Sequence, residues 1–223
     1  MSSRGQSNFR KVTGDEFRHA LANCSASPLF REVMAGLVSF DQSIDWEAAI
    51  HEGTLRVAGS VRAPAVCILI TGDLDVADVL DLRCDAEYDG GSLFIVIGNV
   101  RCRHFISEYN CATIIDGDLD ARESVMNGFY DSGLWVTGTL RTRLFVGADI
   151  WADVGAGAVM DYGEGYCLPI GHRSAGAEAI RPIHSEKETA EIVIPRPNPP
   201  DYGCRFHVDE FVDLIRAGQP IFR

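Results

Sequence analysis

A glycine, any residue, then leucine or valine recurs five times between residues 59 and 140. The copies are Gly59-Ser60-Val61, Gly72-Asp73-Leu74, Gly98-Asn99-Val100, Gly117-Asp118-Leu119 and Gly138-Thr139-Leu140, spaced by 13, 26, 19 and 21 residues. A mean spacing close to 20 leaves no room for a helix of ten or more residues between strands, which excludes a doubly wound α/β sheet. Aligning on the glycine gives apolar or small residues at even offsets. Position −2 reads Val57, Ile70, Val96, Ile115 and Val136, and position +4 reads Ala63, Val76, Cys102, Ala121 and Thr142. The intervening positions +1 and +3 are mostly polar, the period of two that a strand imposes. A further apolar cluster follows most copies: Val79-Leu80, Phe105-Ile106, Val125-Met126 and Leu144-Phe145-Val146. About three short strands per repeat predict a right-handed parallel β-helix of five to seven turns, with helical appendages.

In such a coil, equivalent positions stack at about 4.8 Å. Position +3 reads Arg62, Asp75, Arg101, Asp120, Arg141, so each arginine is expected to meet an aspartate above or below and to disfavour a slipped register. Position −3 faces outward yet reads Leu69, Ile95, Ile114 and Trp135 after Arg56. That apolar stripe must be covered, by the C-terminal helix or crossing segment, or else by a partner. Arg103, Arg122 and Arg143 form another outward column, expected to pair with Asp120, Glu123 and neighbouring acids.

Three segments are expected: a helical cap over 1–52, the β-helix over 53–171, and a C-terminal segment over 172–223. Thr13-Gly14-Asp15-Glu16 reads as a capping box, and Ser27-Pro28 as an N-cap followed by proline at the first helical position. The two helices they open are expected to close the end of the coil. Residues 172–205 read as an irregular proline-rich crossing with one strand over 191–194. A last helix spans about 208–217, with Val208, Phe211, Val212 and Ile215 on one face and Gly218 as its stop.

The chain has 20 Lys and Arg against 32 Asp and Glu, a net charge of −12. Residues 53–171 hold 8 of those cations and 17 of the acids, hence −9 of the total. DNA or RNA is a poor partner for such a surface, and a basic protein a better one. No apolar run reaches the roughly 18 residues of a membrane span, and the first residues have no apolar signal region. The seven cysteines include no CxxC pair, and most of them read as buried thiols of a reducing cytosol. The six histidines form no HExxH pair, and no GxSxG, P-loop or dinucleotide fingerprint is present. Asp116-Gly117-Asp118-Leu119-Asp120 lacks the distal glutamate of a calcium loop. No catalytic residue, cofactor or metal site is therefore expected.

Tyr88-Asp89, Tyr109-Asn110 and Tyr130-Asp131 recur every 21 residues and should share one corner of successive turns. Tyrosines flanked by acids fit a protein-recognition strip, or equally a ladder of rings that supports the corner. With Trp135 on the outward stripe, these residues form the candidate partner surface.

The G-D-L repeats, the loop Asn127-Gly128-Phe129-Tyr130-Asp131-Ser132-Gly133 and the ending Leu214-Ile215-Arg216-Ala217-Gly218-Gln219-Pro220 resemble the bacterial bactofilin-like, or polymer-forming cytoskeletal, proteins. The resemblance covers about residues 53–150 and 206–223. It implies a β-helix, and in its bare form one that polymerises end to end. Relatives with terminal appendages like these resemble cytosolic immunity proteins, the antitoxins encoded beside polymorphic or type VI toxins. What the resemblance implies is a non-enzymatic cytoplasmic inhibitor of a toxin. The acidic coil makes a basic, nuclease-type toxin the expected partner, and the terminal appendages, which would block end-to-end stacking, make a monomer or dimer the expected state. The alternative it implies is a polymerising scaffold.

Overall fold

The computed structural model describes residues 8–36, 44–45, 47–82, 91–108, 110–164, 197–201, 204–206 and 208–223. Its body is a parallel β-solenoid of about five turns, each turn running over three faces. The first face stacks β2 (Ala48–His51), β5 (Cys67–Ile70), β8 (Ser92–Val96), β10 (Cys111–Ile115) and the far ends of β11 (Leu119–Val136) and β12 (Thr139–Val154). The second face stacks β3 (Leu55–Val57), β6 (Leu74–Val76) and the beginnings of β9 (Val100–Glu108), β11, β12 and β13 (Gly157–Glu164). The third stacks β4 (Val61–Arg62), β7 (Val79–Asp81) and the later parts of β9, β11, β12 and β13.

The repeated glycine sits at the corner between the first and second faces. A Cβ on Gly117 would lie 2.5 Å from the carbonyl oxygen of Gly98, and one on Gly72 would lie 2.5 Å from the Gly53 carbonyl carbon. The backbones stack too closely there for any side chain. The next residue explains the aspartate or asparagine of the motif. Asp73 Oδ1 accepts from the Asn99 backbone N–H at 2.8 Å, Asn99 Oδ1 from Asp118 N–H at 2.9 Å, and Asp118 Oδ1 from Thr139 N–H at 2.8 Å. Each side chain thus satisfies a corner donor one turn on. The following Leu or Val points into the core.

That register corrects the first repeat. β3 pairs with β6 as Leu55↔Leu74, Arg56↔Asp75 and Val57↔Val76, so the first corner is Gly53-Thr54-Leu55 and not Gly59-Ser60-Val61. Gly53 holds φ +83°, a conformation glycine adopts without strain. The charge column accordingly begins at Arg56 instead of Arg62, and its alternation survives. The outward apolar column begins at Ile50 instead of Arg56, since Ile50 pairs with Leu69.

The appendages lie along the sides of the solenoid. α1 (Gly14–Asn23) opens on the capping box of Thr13 and Glu16, and α2 (Pro28–Gly36) on Ser27, whose Oγ accepts from the Phe30 N–H at 3.1 Å. Sequence reasoning places these helices over an open end. Instead their Phe17, Phe30 and Val33 pack on Leu69, Leu93, Ile95, Ala112 and Ile114, spanning several turns of the first face. They, and not the C-terminal helix, cover the apolar stripe. The first face is therefore buried on both sides and reads as nearly unbroken apolar runs. At the end of the coil, β1 (Arg10–Val12) adds antiparallel to the outer edge of β2, and Phe9 packs against the main core.

α3 (Val208–Arg216) buries Val208, Phe211, Val212 and Ile215 on Val79, Ile106, Met126, Leu144 and Val146 of the third face. Arg216 grips Asp81 with two hydrogen bonds, at 2.9 and 3.1 Å. The expected strand over 191–194 lies outside the described residues. The proline-rich stretch that follows is a hairpin of β14 (Pro197–Asp201) and β15 (Cys204–Phe206), where sequence reasoning has irregular chain. No helix among the described residues is long and apolar enough to cross a membrane.

Candidate interaction surface

With α1 and α2 on the first face and α3 on the third, the second face keeps one side in solvent. Its strands alternate in consequence: Leu74-Asp75-Val76, Val100-Arg101-Cys102, Leu119-Asp120-Ala121 and Leu140-Arg141-Thr142 send the middle residue outward. The register aligns Arg56, Asp75, Arg101, Asp120, Arg141 and Val159 into one column. Val159, 60% exposed, is the large apolar side chain left in solvent among the described residues.

The vertical ion pairs expected of this column do not form. Among the described residues Arg56, Asp75, Arg101 and Asp120 make no ion pair, and Arg141 turns aside to Asp118 at 3.3 Å. A depression of about 430 Å³ opens between Asp75, Arg101, Asp120 and Arg122. Arg122 donates to the Ala77 carbonyl at 2.9 Å across it. The other outward arginines are engaged. Arg103 bonds Glu123 at 2.8 Å and lies 3.7 Å from Asp78. Arg143 lies 3.5 Å from Asp161 and stacks 3.7 Å from the centre of the Phe222 ring.

Behind that corner lies a cluster that sequence reasoning missed. His104 Nδ1 is 2.8 Å from Ser124 Oγ, and its Nε2 is 3.5 Å from Glu123. Serine, histidine and glutamate are the ingredients of a nucleophilic triad. Here Ser124 is fully buried and His104 almost so, which leaves a substrate no approach to Oγ. Burial pushes the His104 pKa down to about 4 against the opposing pull of Glu123, so the ring is neutral at pH 7. Ser124 and His104 are stacked in one outward column of the third face between Val79 and Leu144, and their mutual hydrogen bond satisfies both.

A second polar knot holds α2. Asp116 accepts from the Ser27 N–H at 2.6 Å, from Ser27 Oγ at 2.5 Å and from Thr137 Oγ1 at 2.9 Å. The carboxylate that superficially resembles part of a calcium loop thus clamps a helix N-terminus to two turns of the coil. No group of His, Cys, Asp and Glu suited to a metal occurs among the described residues.

Of the candidate partner residues, Tyr88, Asp89 and Tyr109 lie outside the described residues. Asn110 is exposed, with φ +53°, and its carbonyl accepts from the Ser92 N–H at 3.0 Å. The backbones of Tyr130 and Asp131 fall in β11 between Gly128 and Ser132, where the register against β12 shifts. Trp135 is half-buried in the stripe beneath the N-terminal helices, its ring against Gly133. The described geometry therefore puts Asn110 at a corner and Trp135 under a helix. The column on the open second face, read from sequence as a register device, is the charged surface it leaves free. Comparison with family models, with curated proteins and with solved structures finds no match to this chain.

Proposed function

We propose that the chain is a non-catalytic binding protein: a cytoplasmic immunity protein that neutralises a basic, nuclease-type bacterial toxin. The observation that carries this reading is the placement of its appendages. β1 occupies the outer edge of β2 in the antiparallel sense, where an incoming turn of another subunit would have to add. α1, α2 and α3 cover two of the three sides. A coil wrapped in this way suits a discrete binder better than a filament. The net charge of −12, most of it on the coil, favours capture of a cationic partner by steering. The right-handed sense usual for parallel crossovers belongs to the same reading.

The test is co-expression with the product of the adjacent gene. Expected are rescue of growth, co-purification, and association that slows as salt rises. The folded double variant Tyr109→Ala, Tyr130→Ala should bind less tightly, by about 2 kcal/mol or more if the rings are anchors. Unchanged binding moves the interface away from that strip. Absence of any complex with the wild type removes the immunity reading. The bactofilin-like scaffold is the alternative, and filaments of the intact chain would establish it.

A further inference from the structure

We propose that the open second face is a self-complementary surface on which a second copy of this chain docks, antiparallel, about a two-fold axis between the rungs of Arg101 and Asp120. The column has six rungs: Arg56, Asp75, Arg101, Asp120, Arg141 and Val159. Signs alternate along it and the number of rungs is even. Full antiparallel overlap therefore sets each odd rung against an even one. Arg101 meets the other copy's Asp120, Asp75 meets Arg141, and symmetry repeats both contacts, which gives four ion pairs. The terminal rungs set Arg56 against Val159, whose exposed side chain its aliphatic stem can cover. Parallel stacking about the same centre would set like charges together.

Two further observations favour this occupant. Arg56, Asp75, Arg101 and Asp120 are not spent on ion pairs among the described residues, so of the five charges only Arg141, 3.3 Å from Asp118, must share or exchange a partner on docking. The five charges of the face sum to +1 on a chain of −12, so two copies that meet there avoid juxtaposing two acidic surfaces. An isologous contact closes on itself, which yields a dimer and no polymer. The face is small. Six rungs at about 4.8 Å and a width of about 10 Å fall well short of the roughly 800 Å² per partner of a stable complex. The dimer is accordingly weak and forms at high protein concentration.

Sedimentation equilibrium of the full chain, from micromolar to millimolar, reads it directly. The wild type should show a monomer–dimer equilibrium. The variant Asp75→Arg, Asp120→Arg makes the column uniformly positive. The variant Arg56→Asp, Arg101→Asp, Arg141→Asp makes it uniformly negative. Each alone should dissociate at least about tenfold more readily, and an equimolar mixture should form a heterodimer. If like charges on adjacent turns unfold either variant, the single exposed substitutions decide. Val159→Asp, opposite Arg56, should tighten the dimer and Val159→Lys loosen it. A wild type that stays monomeric at millimolar concentration overturns the proposal. So does a dimer indifferent to both Val159 substitutions, because it must use another surface.

Discussion

His104 shows how burial sets the chemistry of one side chain. Its pKa falls from 6.5 to about 4, chiefly because the ring is desolvated. The unfolded chain then binds the proton more readily than the folded one between those values. Stability is full above pH 6.5 and declines as pH falls toward 4, by at most about 3 kcal/mol from this group. Urea titrations across that range should show the slope in the wild type and lose most of it in His104→Gln, which cannot titrate. Cys102 makes the complementary case. Burial raises its thiol pKa, with Asp120 adding to the effect and Arg122 opposing it. It should resist thiol reagents in the native state, and Cys102→Ala should cost roughly 1 kcal/mol. Rapid native-state labelling would show the core column to be misplaced. That thiol is legible in the sequence because its even offset marks the inside of the coil. His104 is not, because a lone histidine carries no periodicity of its own.

Among the elements, the corner and the helix clamps hold the coil together. Gly117→Ala should destabilise the protein by about 2–3 kcal/mol, because its new methyl meets the rigid Gly98 backbone. Denaturant midpoints of Gly117→Ala and the open-space control Gly59→Ala, whose Cβ would meet nothing within 4 Å, should separate cleanly. That contrast also tests the corrected register, since the motif alone makes the two glycines equivalent. Gly59-Ser60-Val61 matches the pattern but lies at the wrong corner; its interval of 13 residues to Gly72 is short, whereas Gly53-Thr54-Leu55 stands 19 residues before Gly72, in step with the later intervals of 19 and 21. Asp116→Ala should release α2 from the coil, since the N-terminal donor at Ser27 loses its acceptor. Hydrogen exchange should rise over 27–36 before it rises over the strands. Helix caps are local, a capping box at Thr13-Glu16 and an N-cap with proline at Ser27-Pro28, so both helices are legible in the chain. Where they dock is not, because the apolar sides of α1, α2 and α3 each fit more than one stripe.

For the whole molecule, the arrangement of appendages predicts a discrete species. Velocity sedimentation should show monomer, with dimer at high concentration, and no filaments. An Arg216→Ala variant should leave Asp81 half-buried without its bidentate partner and free the C-terminal helix, at a cost of about 2 kcal/mol. The sequence by itself determined the β-solenoid, its inward columns and the alternation of charge, because a 20-residue repeat with period-two patterning has few ways to bury its apolar side. It also determined the helix starts, since a cap is made of neighbours in the chain. Only the tertiary structure decided which sides the helices cover, and that the charge column forms no ion pairs from turn to turn on the open face. Those outcomes depend on contacts between segments tens of residues apart, where several apolar surfaces compete for the same partner and packing, not pattern, selects one.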